Sequence, residues 1–186
     1  WVSTKQSYDM MNSVELPEHF KEPMKNRVSI LISNLNTKAS YIKECLDSIK
    51  NQIGHIFFEI VWIDDGSDEF QKKIAKKMLD NFMNTTRFTS IVYKENGKNC
   101  GLGYSLNKGV QLCSNEIILR MDTDDIMIQN RIVTQLSFMY RNPNAVICGA
   151  QVYMFRDNIK NIVSMTNHPN HNLENFKKKP THWLMN

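Results

Sequence analysis

Short apolar runs and helically spaced apolar residues take turns along most of this chain. Val28-Ser29-Ile30-Leu31-Ile32 reads as a buried strand, and Ile42, Cys45, Leu46, Ile49 and Ile53 then recur at helical spacing. Phe57-Phe58-Glu59-Ile60-Val61-Trp62-Ile63 is a second buried strand. Ser67-Asp68-Glu69 supplies an N-cap and first-turn acids for a helix whose expected apolar face is Phe70, Ile74, Met78, Leu79 and Phe82. Ser90-Ile91-Val92-Tyr93 is a third strand, and Leu102, Leu106, Val110 and Cys113 are expected to share one side of a third helix. A fourth strand follows over 117–121, then a helix at about 130–141 with Ile132, Leu136, Met139 and Tyr140 inward. Ala145-Val146-Ile147-Cys148 and Val152-Tyr153-Met154-Phe155 are further expected strands. Alternation on this scale predicts an α/β fold, with βαβ units forming a mainly parallel sheet and helices on both faces.

The periodicity also sets the domain plan. Residues 1–26 are polar and carry Pro17 and Pro23, so they read as an N-terminal extension. The main domain is expected over 27–160. After Asn161 the pattern weakens, and 161–186 reads as the start of a further region, cut off early. The first residue is Trp1 rather than Met, which points to a trimmed or excised fragment.

Composition narrows the partners. A net charge of +4 with 41% hydrophobic residues describes a mildly basic globular chain. Its positive charge is scattered apart from Lys177-Lys178-Lys179, Lys72-Lys73 and Lys76-Lys77. That suits a polyanionic small molecule and is too diffuse for nucleic acid. No apolar run approaches the roughly 18 residues of a membrane-spanning helix. Cys45, Cys100, Cys113 and Cys148 form no Cys-x-x-Cys pair, which argues for a reducing compartment, hence a cytoplasmic location. Of the five histidines, His168 and His171 have ligand-like spacing, but Pro169 separates them.

Candidate chemistry sits where strands end. Ligands of an open parallel sheet bind beyond the carboxyl ends of its strands. The first strand ends in Ser33-Asn34-Leu35-Asn36, the second in Asp64-Asp65-Gly66-Ser67-Asp68, and the fourth in Asp122-Thr123-Asp124-Asp125. In a parallel sheet all three meet on one rim. Like carboxylates ~4 Å apart repel by about 4 kcal/mol at an effective dielectric of 20. Either a hard cation such as Mg²⁺ or Mn²⁺ neutralises such a cluster, or water and Arg120 screen it as a helix-capping turn. Asp64 and Asp65 have the same two readings, ligand contact or turn and cap. Gly101 and Gly103 at a helix entry would let backbone approach a diphosphate, with Lys94, Lys98 and Arg120 to offset its charge. A dinucleotide fingerprint is excluded, because Gly101-Leu102-Gly103 follows the third strand and Leu106 stands at the last glycine's place. A haloacid-dehalogenase-type motif is excluded because Asp122-Thr123-Asp124-Asp125-Ile126 lacks the required Thr and comes too late.

Five blocks in order resemble the family 2 glycosyltransferases of the GT-A fold. They are the first strand with its tip, Cys45-Leu46-Asp47-Ser48-Ile49-Lys50-Asn51-Gln52, and Glu59-Ile60-Val61-Trp62-Ile63-Asp64-Asp65-Gly66-Ser67. Next come Asn99-Cys100-Gly101-Leu102-Gly103-Tyr104-Ser105-Leu106-Asn107-Lys108-Gly109, and Arg120-Met121-Asp122-Thr123-Asp124-Asp125 with Arg131 and Gln135 following. The resemblance covers residues 28–152. It implies a GT-A, Rossmann-like fold, a nucleotide-diphosphate sugar donor (most often a UDP-sugar) and inversion at the anomeric carbon. By the same resemblance Ser33, Leu35 and Asn36 line the nucleoside pocket, Asp65 contacts the base with Asp64 behind it, and Gly101 lies along the nucleotide. Arg120 and Asp122 join that set, Asp122 and Asp124 hold Mn²⁺ or Mg²⁺ on the diphosphate, and Asp125 is a possible third member.

Ser33 stands where the family usually has proline, and Leu35 where it has an aromatic residue. The family's catalytic base is an acid well downstream, but after Asp125 only Asp157 and Glu174 remain, in no recognisable motif. The base is therefore unknown, and His182 beside Trp183 reads as structural. The expected acceptor is a glycan, lipid or protein. A catalytically incomplete nucleotide-binding fragment, or a pseudoenzyme serving as an interaction module, is the alternative. A sugar-phosphate nucleotidyltransferase is disfavoured, since residues 33–38 are not its Gly-rich basic loop.

Overall fold

A computed structural model describes residues 26–54, 56–84, 89–157 and 159–166. The N-terminal extension, His55, His168, His171, Glu174, Lys177-Lys178-Lys179, His182 and Trp183 lie outside the described residues. The chain divides into two compact units between Pro143 and Asn144.

The first unit is a four-stranded sheet with four helices. In chain order these are β1 (Arg27–Asn34), α1 (Ala39–Lys50), β2 (Phe57–Asp64), α2 (Glu69–Met83), β3 (Thr89–Glu95), α3 (Leu102–Val110), β4 (Ile118–Asp122) and α4 (Arg131–Arg141). The strand order is β3-β2-β1-β4, and every pairing is parallel. The central strands are near-continuous apolar runs because helices cover both of their faces. On one face Val28, Ile30, Ile32, Ile60, Trp62 and Met121 pack with α1, α2 and α4. On the other, Leu31, Val61 and Ile63 meet Leu106, Leu112 and Cys113 around α3.

Two helix faces differ from expectation. Phe70 is 70% exposed, and the buried row of α2 is Lys72, Ala75, Leu79 and Phe82. Two residues along a helix is roughly a 200° rotation, so Phe70 and Lys72 cannot share a face. Lys72 lies its stem along the apolar surface while its ammonium reaches Glu69 at 2.9 Å and Glu95 at 3.3 Å. On α3, Leu102 and Val110 are about half exposed, and the buried residues are Ser105 and Gly109. This helix approaches the sheet so closely that a Cβ on Gly109 would lie 2.2 Å from Leu31 Cδ1. Small residues therefore make the closest contact; of the expected face, Leu106 and Cys113 pack inward while Leu102 and Val110 turn outward.

The second unit contains an antiparallel pair, β5 (Tyr153–Phe155) and β6 (Ile162–Met165), with a register shift between Met154 and Phe155. Thr166 N–H donates to Val152 O at 2.8 Å beside it. β6 was not expected from the sequence. The strand expected over 145–148 is absent: Val146 is 89% and Ile147 84% exposed, with no ladder partner among the described residues. An apolar run becomes a strand only where a neighbour takes its backbone hydrogen bonds.

Candidate functional site

Strand register brings the three polar tips together. Asn34 lies beside Asp64, Ser33 beside Asp122, and Asp64 beside Glu95. The carboxyl ends of all four strands therefore open onto one rim, as the sequence predicts, in the usual ligand position of an open parallel sheet.

The β1 and β2 tips are cross-linked by side chains. Asn34 Nδ2 donates to Asp64 Oδ2 at 3.1 Å and to Ser67 Oγ at 3.2 Å. Asp64 is fully enclosed, and its Oδ1 accepts from the Ser67 N–H at 2.8 Å and the Gly66 N–H at 3.2 Å. It thus acts on any ligand through the turn it shapes. Asn36 sits in the left-handed region at φ 52, which Asn tolerates better than most residues. Its N–H donates to Ser67 Oγ at 2.9 Å, and its Oδ1 accepts from the Asp68 N–H at 2.9 Å. Asp68 in turn caps α2, accepting from the Gln71 N–H at 2.8 Å. Leu35 is 42% exposed between these anchors.

Asp65 organises the loop leading into α3. Although the residue is buried, its Oδ1 accepts from Asn96 Nδ2 at 2.8 Å and the Cys100 N–H at 2.9 Å, and its Oδ2 from the Gly101 N–H at 2.9 Å. Burial pushes this carboxyl up, but donors from Asn96, Cys100, Ser105 and Gly101 outweigh it and hold Asp65 below the usual range. A carboxylate has about four acceptor directions, and these donors occupy most of them. Gly66, at φ 88, lets the loop close down, since a Cβ there would meet Lys98 C at 2.3 Å. By contrast, nothing lies within 4 Å of a Cβ built on Gly101 or Gly103, so the helix entry is open. Lys94 and Lys98 are exposed.

The β4 tip is held mainly from outside its carboxylates. Thr123 is buried, and its hydroxyl lies 2.7 Å from that of Thr37, joining the loop after β1 to the acidic loop. Cys45 Sγ contacts Asp122 O at 3.6 Å. Burial first, then Asp125, Asp124 and Asp122, push this thiol up to about 12. Arg120 pairs with Asp122 Oδ1 at 2.5 Å, and Arg131 fixes Arg120 by donating to its carbonyl at 3.0 Å. Asp124 and Asp125 are exposed as residues. Partial desolvation, then Asp122 and Asp124, still raise the Asp125 carboxyl, while Arg120 and Arg131 pull it back.

No group of three or more His, Cys, Asp or Glu residues that could hold a metal occurs among the described residues. Mg²⁺-like ions need no such cage, because they take one or two carboxylates and complete their shell with water and substrate phosphate. Asp122 and Asp124 fit that donor set.

The sequence profile described as Glycosyl transferase family 2 matches residues 29–185. This chain belongs to glycosyltransferase family 2. It is 32% identical over 152 residues to the amylovoran biosynthesis glycosyltransferase AmsE of Erwinia amylovora, covering 81% of this chain and 54% of that protein. The chain thus spans about half the length of the curated relatives it matches. Among solved structures, S. aureus TarS 1-349 in complex with UDP superposes with a TM-score of 0.52 and 22% identity, covering 63% of this chain and 33% of that one. The mannosyltransferase PcManGT from Pyrobaculum calidifontis, in complex with GDP-Man and Mn²⁺, gives 0.53 and 18%, with coverages of 72% and 38%. These likenesses show the GT-A fold.

Within this family 2 domain, the sequence did not single out Asn34, Asn96, Ser105 or Lys108, which wire the rim together. The available signal was a polar Asn ending each of two strands, Asn34 on β1 and Asn96 just after β3.

Proposed function

We propose that this chain is a glycosyltransferase that moves a sugar from a nucleotide diphosphate, a UDP-sugar, to a glycan, lipid or protein acceptor with inversion. The single observation that carries this is the convergence of the β1, β2 and β4 tips on one rim, with two carboxylates at its β4 side. Ser33, Leu35 and Asn36 would flank the nucleoside, and Asp65, held at the β2 tip by the 96–101 loop, would contact the base. Gly101 would let the nucleotide lie against backbone. Arg120 would counter phosphate charge while shared with Asp122. Asp122 and Asp124 would hold Mn²⁺ or Mg²⁺, which when bound supplies Lewis-acid neutralisation of the leaving diphosphate. Four free cysteines support a reducing, cytoplasmic setting, and no helix of the described residues is long and apolar enough to cross a membrane.

A donor-binding part without its own base is the second reading. Between Asp125 and Thr166 the only acid is Asp157, at φ 60 in the second unit. Calorimetry with UDP and Mn²⁺, followed by assay for sugar release or transfer, separates the two. Metal-dependent UDP binding that Asp124→Ala weakens at least tenfold is expected. Turnover would favour the complete enzyme, and binding without turnover the donor-binding part. Failure to bind any nucleotide would leave only the interaction-module reading.

A further inference from the structure

We infer that Lys108 is a positioning residue that sets the Asp65 carboxylate for a nucleobase, acting through Asn96. This rests on the donor-site reading above. Lys108 Nζ, which can only donate, lies 2.7 Å from Asn96 Oδ1 and 3.0 Å from Glu95 O. The ammonium therefore fixes which way the Asn96 carboxamide faces. Its Nδ2 is left to donate to Asp65 Oδ1 and to Ser105 Oγ, both at 2.8 Å. Asn96 is held from behind as well, its N–H donating to Asp64 O at 2.9 Å. Ser105 is fully buried, so water does not reach into the relay at that point to substitute for a lost partner.

Asp65 then has one carboxylate orientation in which Asn96, Cys100 and Gly101 are all satisfied, at the tip of β2 where the donor-site reading puts the base. Without Lys108 the Asn96 oxygen loses its charged donor, and the side chain is held only through its Nδ2 bonds to Asp65 and Ser105. The Asn96–Asp65 contact then loosens, and with it the seating of the carboxylate against the Cys100 and Gly101 N–H groups. A lysine near the end of a nine-residue helix would otherwise read as a solvated last-turn cation. Its two protein acceptors on the β3 end place it in the site's wiring instead.

The test compares the full chain with its Lys108→Met and Lys108→Arg variants by two readouts. In amide hydrogen exchange without nucleotide, Lys108→Met is expected to speed Cys100 and Gly101 at least tenfold while Leu119 and Met121 in β4 keep their rates. In calorimetry, the Kd for uridine and for UDP with Mn²⁺ should rise by the same factor, about tenfold, with the Mn²⁺ dependence unchanged. Lys108→Arg should recover most of both effects, since it can still donate to both oxygens. Unchanged exchange at Cys100 and Gly101, or a loss seen with UDP but not with uridine, would overturn the inference. A wild-type chain binding neither uridine nor UDP would overturn the donor reading and the nucleobase role together. The exchange rates would then still decide whether Lys108 orders the Asp65 loop.

Discussion

The β2 and β4 tips carry the same residue type on the same rim and treat it in opposite ways. At the β2 tip, Asp64 and Asp65 accept hydrogen bonds from Asn34, Gly66, Ser67, Asn96, Cys100 and Gly101. At the β4 tip, Arg120 pairs with Asp122, and Asp125 feels the pull of Arg120 and Arg131 against that of Asp122 and Asp124. The consequence is visible in the acids: Asp65 is held below the usual carboxylate range, and Asp125 is raised above it. One tip is satisfied before any ligand arrives. The other keeps a carboxyl raised first by desolvation and then by Asp122 and Asp124, which is the physical ground on which the proposed function would put the nucleoside at β2 and a divalent cation at β4.

The comparison is broken most severely by adding one carbon at the β2 tip. Gly66→Ala puts a Cβ against the Lys98 and Asn99 backbone and forces a side chain onto φ 88. Left-handed backbone costs roughly 1–2 kcal/mol, and overpacking typically 1–3 kcal/mol. A loss of about 3 kcal/mol in urea unfolding is expected, together with weaker UDP binding because the 96–101 loop must lift. A neutral result would mean that the loop does not dock on this turn.

The next effect tests the charge itself. Asp65→Asn keeps the shape but replaces an acceptor with a donor facing backbone N–H groups, at a cost of about 2 kcal/mol at neutral pH. Because the folded pKa of Asp65 is depressed, its contribution is fully present above the unfolded value near 3.9 and is lost as pH falls through the folded value. The gap between wild type and Asp65→Asn in unfolding free energy should therefore narrow in that acid window. A gap of constant size from neutral pH into acid would show that the carboxylate's charge contributes nothing there.

Legibility in the sequence followed the same division. Short apolar runs located β1 to β4 to within a residue or two, since sheet burial on both faces leaves a local trace. The tips were legible because Asp64, Asp65, Asp122 and Asp124 are unusual directly after apolar strands. What escaped is non-local. Asn96 at a strand end reads as a turn residue, and nothing near it says that its amide reaches Asp65, 31 positions earlier. The α3 face was read in part: Leu106 and Cys113 pack inward as expected, but Leu102 and Val110 do not, because the close approach at Gly109 selects small residues. Apolar content alone over-predicted a strand at 145–148, and β6 was missed because its residues are exposed and its pairing is supplied by β5.

The smallest expected effect has the opposite sign. Asp125 has a raised folded pKa, so folding favours its protonated form. The stabilisation from that shift is complete below the unfolded value and is lost as pH rises through the folded value, leaving a penalty of desolvation and repulsion at neutral pH. Asp125→Asn removes the penalty and should stabilise the chain at pH 7. Asp125 is exposed, so solvent screening limits the gain to about 0.5 kcal/mol. Saturating Mn²⁺ should shrink it further, because a cation held by Asp122 and Asp124 offsets the same repulsion. The measurement is urea unfolding of both proteins with and without Mn²⁺. Removing a carboxylate at the β2 tip should thus destabilise the chain, and removing one at the β4 tip should stabilise it until the metal is added. A loss of stability in metal-free Asp125→Asn would mean that the acidic loop is already as well satisfied as the turn at 64–67, and the two tips would no longer differ in kind.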